Sequence, residues 1–506
     1  MIRTHNKPTH SERPFDAVVV GGGISGLVAA WDLARSGTRV TLLEASERFG
    51  GCVGSHIVAG LTLDSGAESF ATRTSAVAVL AAELGLSSHI VPPRPGGAWV
   101  QLPEGPRELP KTGVLGIPAN PWDPEVRRTL GLLGSMRASL DRYFPASVGT
   151  SAEVTSVASL VRARMGRRVL QRLVAPVVGG VHSADPEGLD VDMVVPGLRA
   201  ELRRQGSLAA AVAAQRSGKG QPAPAVTDSD QDGPGAPGPS GQQAGRQLAK
   251  AGSAVAGLSG GMHTLVTALV AELRKLGVEL LAGVRADAVR RDGAAWVVAT
   301  RDRNFQAERL VVALDGPAAV NLLSPALPDL ASLKPAEGPR IALVTLVVDF
   351  PELDRRPRGT GILVAPQSPG IAAKALTHAT AKWDWLASEA GPGTHVLRLS
   401  YGRAGDGSAG HQTDIELRDV ALQDASALLG VAVTGEDVLG WDVVRWNGAL
   451  PFAAVGHKRR VMDVRDVIAS VPGLVVVGGW LAGNGLAAVV EDTRSQMQRV
   501  IEAASA

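Results

Sequence analysis

Three glycines at a fixed spacing carry the clearest chemical signal in the chain. Gly21, Gly23 and Gly26 stand in the run GGGISG as G-x-G-x-x-G. Such a turn offers backbone amides, not side chains, to a ligand. The first glycine permits the tight turn, the second lets backbone approach a pyrophosphate, and the third allows a helix to pack closely on a strand. Ile24 and Ser25 open that helix, whose N-terminal amides and dipole offset phosphate charge. Glu44, with Ala45 after it, ends the next apolar run at the distance expected of an acid that binds a ribose hydroxyl. The set predicts a dinucleotide site. The plainer alternatives are a glycine turn that binds nothing and a surface acid at Glu44.

Positioning those residues requires a strand, a helix and a second strand. Residues 15–20 (FDAVVV) read as a buried parallel strand. Residues 24–36 have helical spacing, with Leu27, Ala30, Trp31 and Ala34 on one face and Gly37 as a stop. Residues 38–43 are the next strand. The stretch 75–215 reads as mainly helical and holds Arg127, Arg128, Arg162, Arg164, Arg167, Arg168, Arg172, Arg203 and Arg204. These are solvated helix faces or, for a few, the lining of an acidic-substrate pocket. Residues 217–253 are rich in Gly, Pro, Ala, Ser and Gln and read as a disordered inserted loop. Patterning resumes with a helix over 263–276, a strand over 278–281 and a hairpin-like stretch to Leu314. Strand and helix signals alternate over 315–440. A buried strand over 474–477 then runs into Gly478-Gly479 and Gly483-Asn484-Gly485, followed by a last helix. The fold class expected is α/β.

Composition narrows the function. The chain has 506 residues, enough for two or three domains, with 45% hydrophobic and 20% charged residues. A net charge of +2 argues against nucleic acid as a partner. Cys52 stands alone, so no intrachain disulfide forms. The polar stretch 1–14 holds no secretory signal, and apolar runs such as 341–350 are too short to span a bilayer. A cytoplasmic protein with at most peripheral membrane contact is expected. No set of His, Cys and acids predicts a metal site, and no Ser-His-Asp arrangement stands out.

Beyond the glycine turn the chain resembles a known family. After Glu44, the run to Gly50-Gly51 resembles the extended fingerprint of the amine-oxidase-like flavoproteins, in which a Gly-Gly pair lies near the pyrophosphate. An Arg or Lys often follows that pair; here it is Cys52, read as a small buried apolar residue. The segment 63–70 (LDSGAESF) resembles a signature of protoporphyrinogen and coproporphyrinogen oxidases. In those enzymes this loop, here Gly66, Ala67, Glu68 and Ser69, runs beneath the flavin ring. Residues 176–186 resemble the family's Gly-Val-Tyr-x-x-Asp-Pro segment, with His182 at the tyrosine position. Gly260-Gly261-Met262, Trp446 to Pro451 with Gly456-His457, and the block 478–493 follow in the family's order. That last block departs from the family's Val-Gly-Val/Leu-Pro-Asp-like run, having Asn484, Gly485 and Leu486 instead.

The resemblance implies FAD, held by the residues above together with Val284 and Trp446. It implies a discontinuous cofactor domain (14–74, 254–314 and 442–506), a helical domain (75–216) and a mixed-sheet substrate domain (315–441). It further implies oxidation of a porphyrinogen in haem biosynthesis in three two-electron steps, with hydride passing to the flavin, oxygen as acceptor and hydrogen peroxide as by-product. Arg73 would contact a substrate propionate, and His182 is a second substrate-side candidate. His182 and His457 are also open as proton-transfer groups or as structural histidines, and no general base is identified. Coproporphyrinogen III, a tetra-acid, is favoured over the di-acid protoporphyrinogen IX. An arginine-rich pocket suits it, and the Ala-, Gly- and Arg-rich composition resembles that of actinobacterial members. A transient contact with a ferrochelatase is a further expected partnership. An amine oxidase of the same superfamily and a non-catalytic flavin protein are the alternatives. Amine oxidases often use a tyrosine or tryptophan cage beside the flavin, and the two tyrosines here, Tyr143 and Tyr401, both lie outside the C-terminal block.

Overall fold

The apolar run 15–20 becomes a central strand through pairings far along the chain. The computed structural model describes residues 15–111, 113–217, 255–402, 412–448, 451 and 453–505. Apart from Ser217, the stretch read as a disordered insertion lies outside the described residues, as do residues 1–14 and Ala449-Leu450 of the Trp446 block. Phe15–Val20 lies parallel between Val40–Leu43 and Asn304–Val312. Glu279–Leu281 adds beyond Val40–Leu43, and Leu474–Val476 pairs with the end of Asn304–Val312, both again parallel. Ala295–Thr300 and Ala286–Asp292 extend this seven-stranded sheet with antiparallel pairs.

Strand residues alternate between two cores, as a sheet covered on both faces requires. Ala17, Val19, Leu42 and Val311 pack under the helices Ile24–Arg35, His263–Lys275 and Leu486–Ser505. Val18, Val20, Leu43 and Val312 pack under Gly316–Leu323 and His457–Ala469. Asp64 caps the helix at His263 from another part of the chain, accepting the amides of Met262 at 2.9 Å and His263 at 3.0 Å.

A second seven-stranded sheet runs in the order Val438–Asn447, Arg340–Asp349, Thr394–Tyr401, Ala375–His378, Gly361–Val364, Trp99–Leu102, Gly105–Glu108. Its last two strands correct the mainly helical reading of 75–215. Trp99–Leu102 alternates partly buried and buried residues and pairs in parallel with Gly361–Val364. Pro92, Pro93, Pro95 and the Gly96-Gly97 pair directly precede it, and it pairs with the nearby Gly105–Glu108 as well as with a strand more than two hundred and fifty residues away. Val438–Asn447 also crosses the boundary expected at residue 442, pairing along its length with Arg340–Asp349.

The remaining helices enclose their own core around Leu130, Leu160, Val174, Leu198 and Val212. Here seven of the nine arginines are exposed, as solvated helix faces would be, and six of the nine also have partners within the protein. Arg164 is 0% exposed, bonds Asp141 at 2.6 Å and donates to the carbonyls of Pro145, Asp141 and Gly206. Arg168 and Arg172 donate to the carbonyls of Leu130 and Thr129, and Arg203 to that of Thr150. Arg162 pairs with Glu187 and Arg204 with Glu201. Arg127, Arg128 and Arg167 are exposed.

Candidate active site at the carboxyl edge of the parallel sheet

Parallel strands end together, and loops leaving that edge diverge to either side of it, which opens a crevice. Phe15–Val20 is followed by the glycine turn, Asn304–Val312 by Ala313 to Pro317, and Leu474–Val476 by Val477, Gly478 and Gly479. Between these loops lies a cavity of about 290 Å³.

The glycine turn is built as its spacing predicts. Gly21 has φ +105°, and a Cβ there would sit 2.5 Å from the Ala313 carbonyl oxygen. A Cβ at Gly26 would lie 1.8 Å from the oxygen of Gly21. Gly23 differs from both, since nothing lies within 4 Å of its would-be Cβ. It begins the helix Ile24–Arg35 with no side-chain cap. The first amides of that helix therefore point at open space, which is the condition for holding an anion.

Gly23, Ile24, Ser25, Gly50, Gly51, Ala67, Asn484, Gly485 and Leu486 all line the cavity. The remaining predicted residues stand behind it. Gly50 bonds back to Gly22 through its amide at 2.8 Å. Glu44 accepts the Gly22 amide at 2.6 Å, and the amide and hydroxyl of Ser46 at 2.8 and 2.7 Å. Val284 donates its amide to the Glu44 carbonyl at 2.8 Å, which places it beside that acid, while Ala45 is exposed nearby.

Gly66 packs too closely on Cys52 for any side chain, and Ala67 bonds the Cys52 carbonyl at 2.8 Å. Glu68 turns away from the cavity into a cluster with Lys382 and Arg398, and Arg398 also donates to the Gly66 carbonyl. Burial alone would raise the Glu68 carboxyl. Lys382 and Arg398 outweigh it and hold the pKa below its ordinary value. Trp446 is in the second sheet and reaches the same loop by donating to the Ser65 carbonyl at 2.9 Å. Ser69 continues the loop, partly buried. Three side chains from the second sheet and its neighbouring helix thus grip the segment 65–68.

Cys52 is partly buried and belongs to the cavity wall, with its thiol pushed up in pKa by burial. Arg73 is exposed, with no ion pair or hydrogen bond among the described residues. His182 is off the wall but touches it, 3.3 Å from Asn484. His457 lines the cavity, donates Nε2–H to the Trp480 carbonyl at 2.7 Å, and is lowered in pKa by burial.

Sequence reasoning missed the wall formed by Asp315, Gly316 and Pro335, which is completed by Trp480 from the block 478–493. A Cβ at Gly316 would meet Pro335 at 2.4 Å and Trp480 at 3.0 Å. The available signal was the run Asp315-Gly316-Pro317, a capped helix start directly after a buried strand; Asp315 accepts the Ala318 amide at 3.0 Å. The arginine-rich pocket is not found at this cavity. No arginine or lysine is among the described residues lining it.

A backbone-walled cavity over an uncapped helix at the edge of a parallel sheet fits a dinucleotide. The flavin containing amine oxidoreductase family matches residues 24–496. The chain belongs to that family. It is an oxidoreductase with the family's α/β flavoprotein fold. It is 30% identical to a coproporphyrinogen III oxidase of Propionibacterium freudenreichii subsp. freudenreichii, over 97% of this chain and 91% of the relative. It is 27% identical to the coproporphyrinogen III oxidase of Bacillus subtilis (strain 168), over 93% and 94%. The crystal structure of an Exiguobacterium sp. 255-15 protein shares the fold, with a TM-score of 0.77 at 24% identity, covering 96% and 98% of the two chains. Cyclohexylamine oxidase from Brevibacterium oxydans IH-35A does so at a TM-score of 0.65 and 16% identity, covering 97% and 100%. Among the described residues no helix of this family member is long and apolar enough to cross a membrane.

Proposed function

We propose that the chain binds FAD and oxidises a porphyrinogen to a porphyrin, with coproporphyrinogen III as substrate and oxygen as final acceptor. The observation that carries the cofactor is the cavity itself. Uncapped amides at Gly23 to Ser25, the Gly50-Gly51 pair facing them and the Gly483 to Leu486 loop leave a slot bounded by backbone. The substrate rests on likeness, over nearly the whole chain, to relatives named for that reaction. FAD, when bound, supplies the two-electron oxidation.

The chain's own residues bind and position. The helix amides offset pyrophosphate charge, and Glu44 meets the ribose while holding Gly22 in place. Glu68, fixed by Lys382 and Arg398, keeps the loop at Ala67 against the cavity. Arg73, exposed and not engaged in an ion pair, takes a substrate propionate. In this reading the first sheet with its helices serves the cofactor, the helices of 124–216 form the helical part, and the second sheet, from Trp99–Leu102 to Val438–Asn447, serves the substrate.

Purified protein should be yellow and should generate porphyrin fluorescence from coproporphyrinogen III, releasing hydrogen peroxide. A colourless protein that takes up no FAD would sink the cofactor reading. Equal rates on protoporphyrinogen IX would remove only the substrate preference.

A further inference from the structure

His182 and Asn484, both departures from the patterns the chain otherwise resembles, meet each other. His182 ends the helix Ala175–His182 and is 8% exposed. Its place is rigid. Ser183 follows in a left-handed conformation, φ 52°, and the buried Lys374 donates to the Ser183 hydroxyl and, at 3.1 Å, to the Gly402 carbonyl. Two residues back, a Cβ at Gly180 would lie 2.5 Å from Leu363, so the helix is seated tightly on the second sheet.

The Asn484 Nδ2 amide faces His182 Nδ1 at 3.3 Å. Burial lowers the His182 pKa to about 4, so the ring is neutral at physiological pH. A neutral ring with its proton on Nε2 presents Nδ1 as an acceptor, and Asn484 then donates to it. That fixes the other end of the amide. Asn484 Oδ1 is buried without a partner among the described residues, and Asn484 lines the cavity. An acceptor left unpaired in such a place is costly, and a donor on a bound group relieves the cost.

We infer that His182 is a positioning residue, whose Nδ1 orients the Asn484 amide so that Oδ1 is offered to the cavity as an acceptor for an N–H or O–H donor of the bound group. This rests on the flavoenzyme reading above. It makes His182 neither a proton-transfer group nor a propionate ligand. The donor chemistry is shared by the cofactor's ring and side-chain hydroxyls and by the pyrrole N–H groups of the substrate.

The test uses the full chain in five forms: wild type, N484L, H182F, the N484L/H182F double variant, and H182N, whose amide oxygen can replace Nδ1. FAD affinity is measured by titrating stripped protein and following flavin fluorescence and the visible spectrum. KM for coproporphyrinogen III is measured on FAD-loaded protein. N484L should weaken one of the two by about fivefold: FAD affinity if the donor is on the cofactor, KM if it is on the substrate. H182F should match N484L, the double variant should be no worse than either, and H182N should restore most of the loss. The inference is overturned if N484L stays within about twofold of wild type in both measurements, or if H182N is as impaired as H182F. Wild-type protein that binds no FAD would instead overturn the reading on which it rests. Should H182F fail to fold, judged by melting, N484L and H182N decide the question alone.

Discussion

At the cavity, the groups offered to a ligand are main-chain amides held by glycines, and the wall has no arginine or lysine among the described residues. Over the helices of residues 124–216, by contrast, charge is abundant, and two of the guanidiniums are buried. Arg164 is buried against Asp141 and several carbonyls, and Arg199 is bound by Asp192 at 2.8 Å and by the Glu153 carbonyl at 3.0 Å. Backbone dipoles can be placed against phosphate with little desolvation cost, whereas a buried guanidinium must be fully paired to be tolerated. The contrast teaches that an arginine-rich stretch does not by itself mark an anion site, since Arg164 and Arg199 are buried as structural groups.

The sharpest way to break that contrast is Arg164→Met. It leaves Asp141 buried beside empty carbonyls and should cost about 3–5 kcal/mol in stability. Denaturant unfolding would measure it, with FAD affinity unchanged in the protein that remains folded. An effect confined to FAD affinity would erase the distinction. Gly26→Ala strikes the other region. Its methyl has no room against Gly21, so FAD retention should fall by at least tenfold, with about 3 kcal/mol lost in melting experiments. Glu68→Gln lies between the two regions, leaving Lys382 and Arg398 without their anion. We expect loss of about 1–3 kcal/mol and a shifted flavin spectrum as the 65–68 loop loosens.

Acid should act next. His378 is lowered in pKa to about 3 and His182 to about 4, while His395 and His457 are also lowered, burial being the first cause in each. Their unfolded values lie near 6.5, so the unfolded chain binds more protons below that pH. Stability is therefore full above about pH 6.5 and falls progressively as pH drops toward 4. The melting temperature should decline by several degrees between about pH 7 and about pH 5. A flat profile would mean that these histidines are not buried as described. Smallest of all, Arg73→Ala should leave melting and FAD content unchanged while raising KM for the porphyrinogen several-fold.

Much of the cofactor end was legible because its signals are local. The expected strand 15–20 and the helix from Ile24 stand as Phe15–Val20 and Ile24–Arg35, and the helix from His263 as His263–Lys275. Gly21, Gly26 and Gly66 are forced by contacts that only a missing Cβ can satisfy. What escaped depends on tertiary meeting. Pro335 reaches the wall from a loop with no chemistry of its own, and the strand Trp99–Leu102 joins the second sheet only through Gly361–Val364, more than two hundred and fifty residues away. Glu68 was placed in the right loop, but its partners Lys382 and Arg398 come from more than three hundred residues away. His182 was singled out only through likeness, and its contact with Asn484 depends on a helix end meeting a C-terminal loop.

The order of the parallel strands also sets a schedule for synthesis. Phe15–Val20 emerges from the ribosome early, yet one of its two neighbours is Asn304–Val312, and that strand is in turn bordered by Leu474–Val476. The helix that covers Ile24–Arg35 is Leu486–Ser505, tied down by Arg494 to Asp32 and Glu83. Until those late residues are made, the early glycine turn has neither its sheet nor its opposite wall. Such long-range closure is slow, and the waiting apolar strands are exposed to aggregation. Cofactor capture is thus among the last events in the making of this enzyme, and a nascent chain stalled before about residue 474 would carry the fingerprint but hold no flavin.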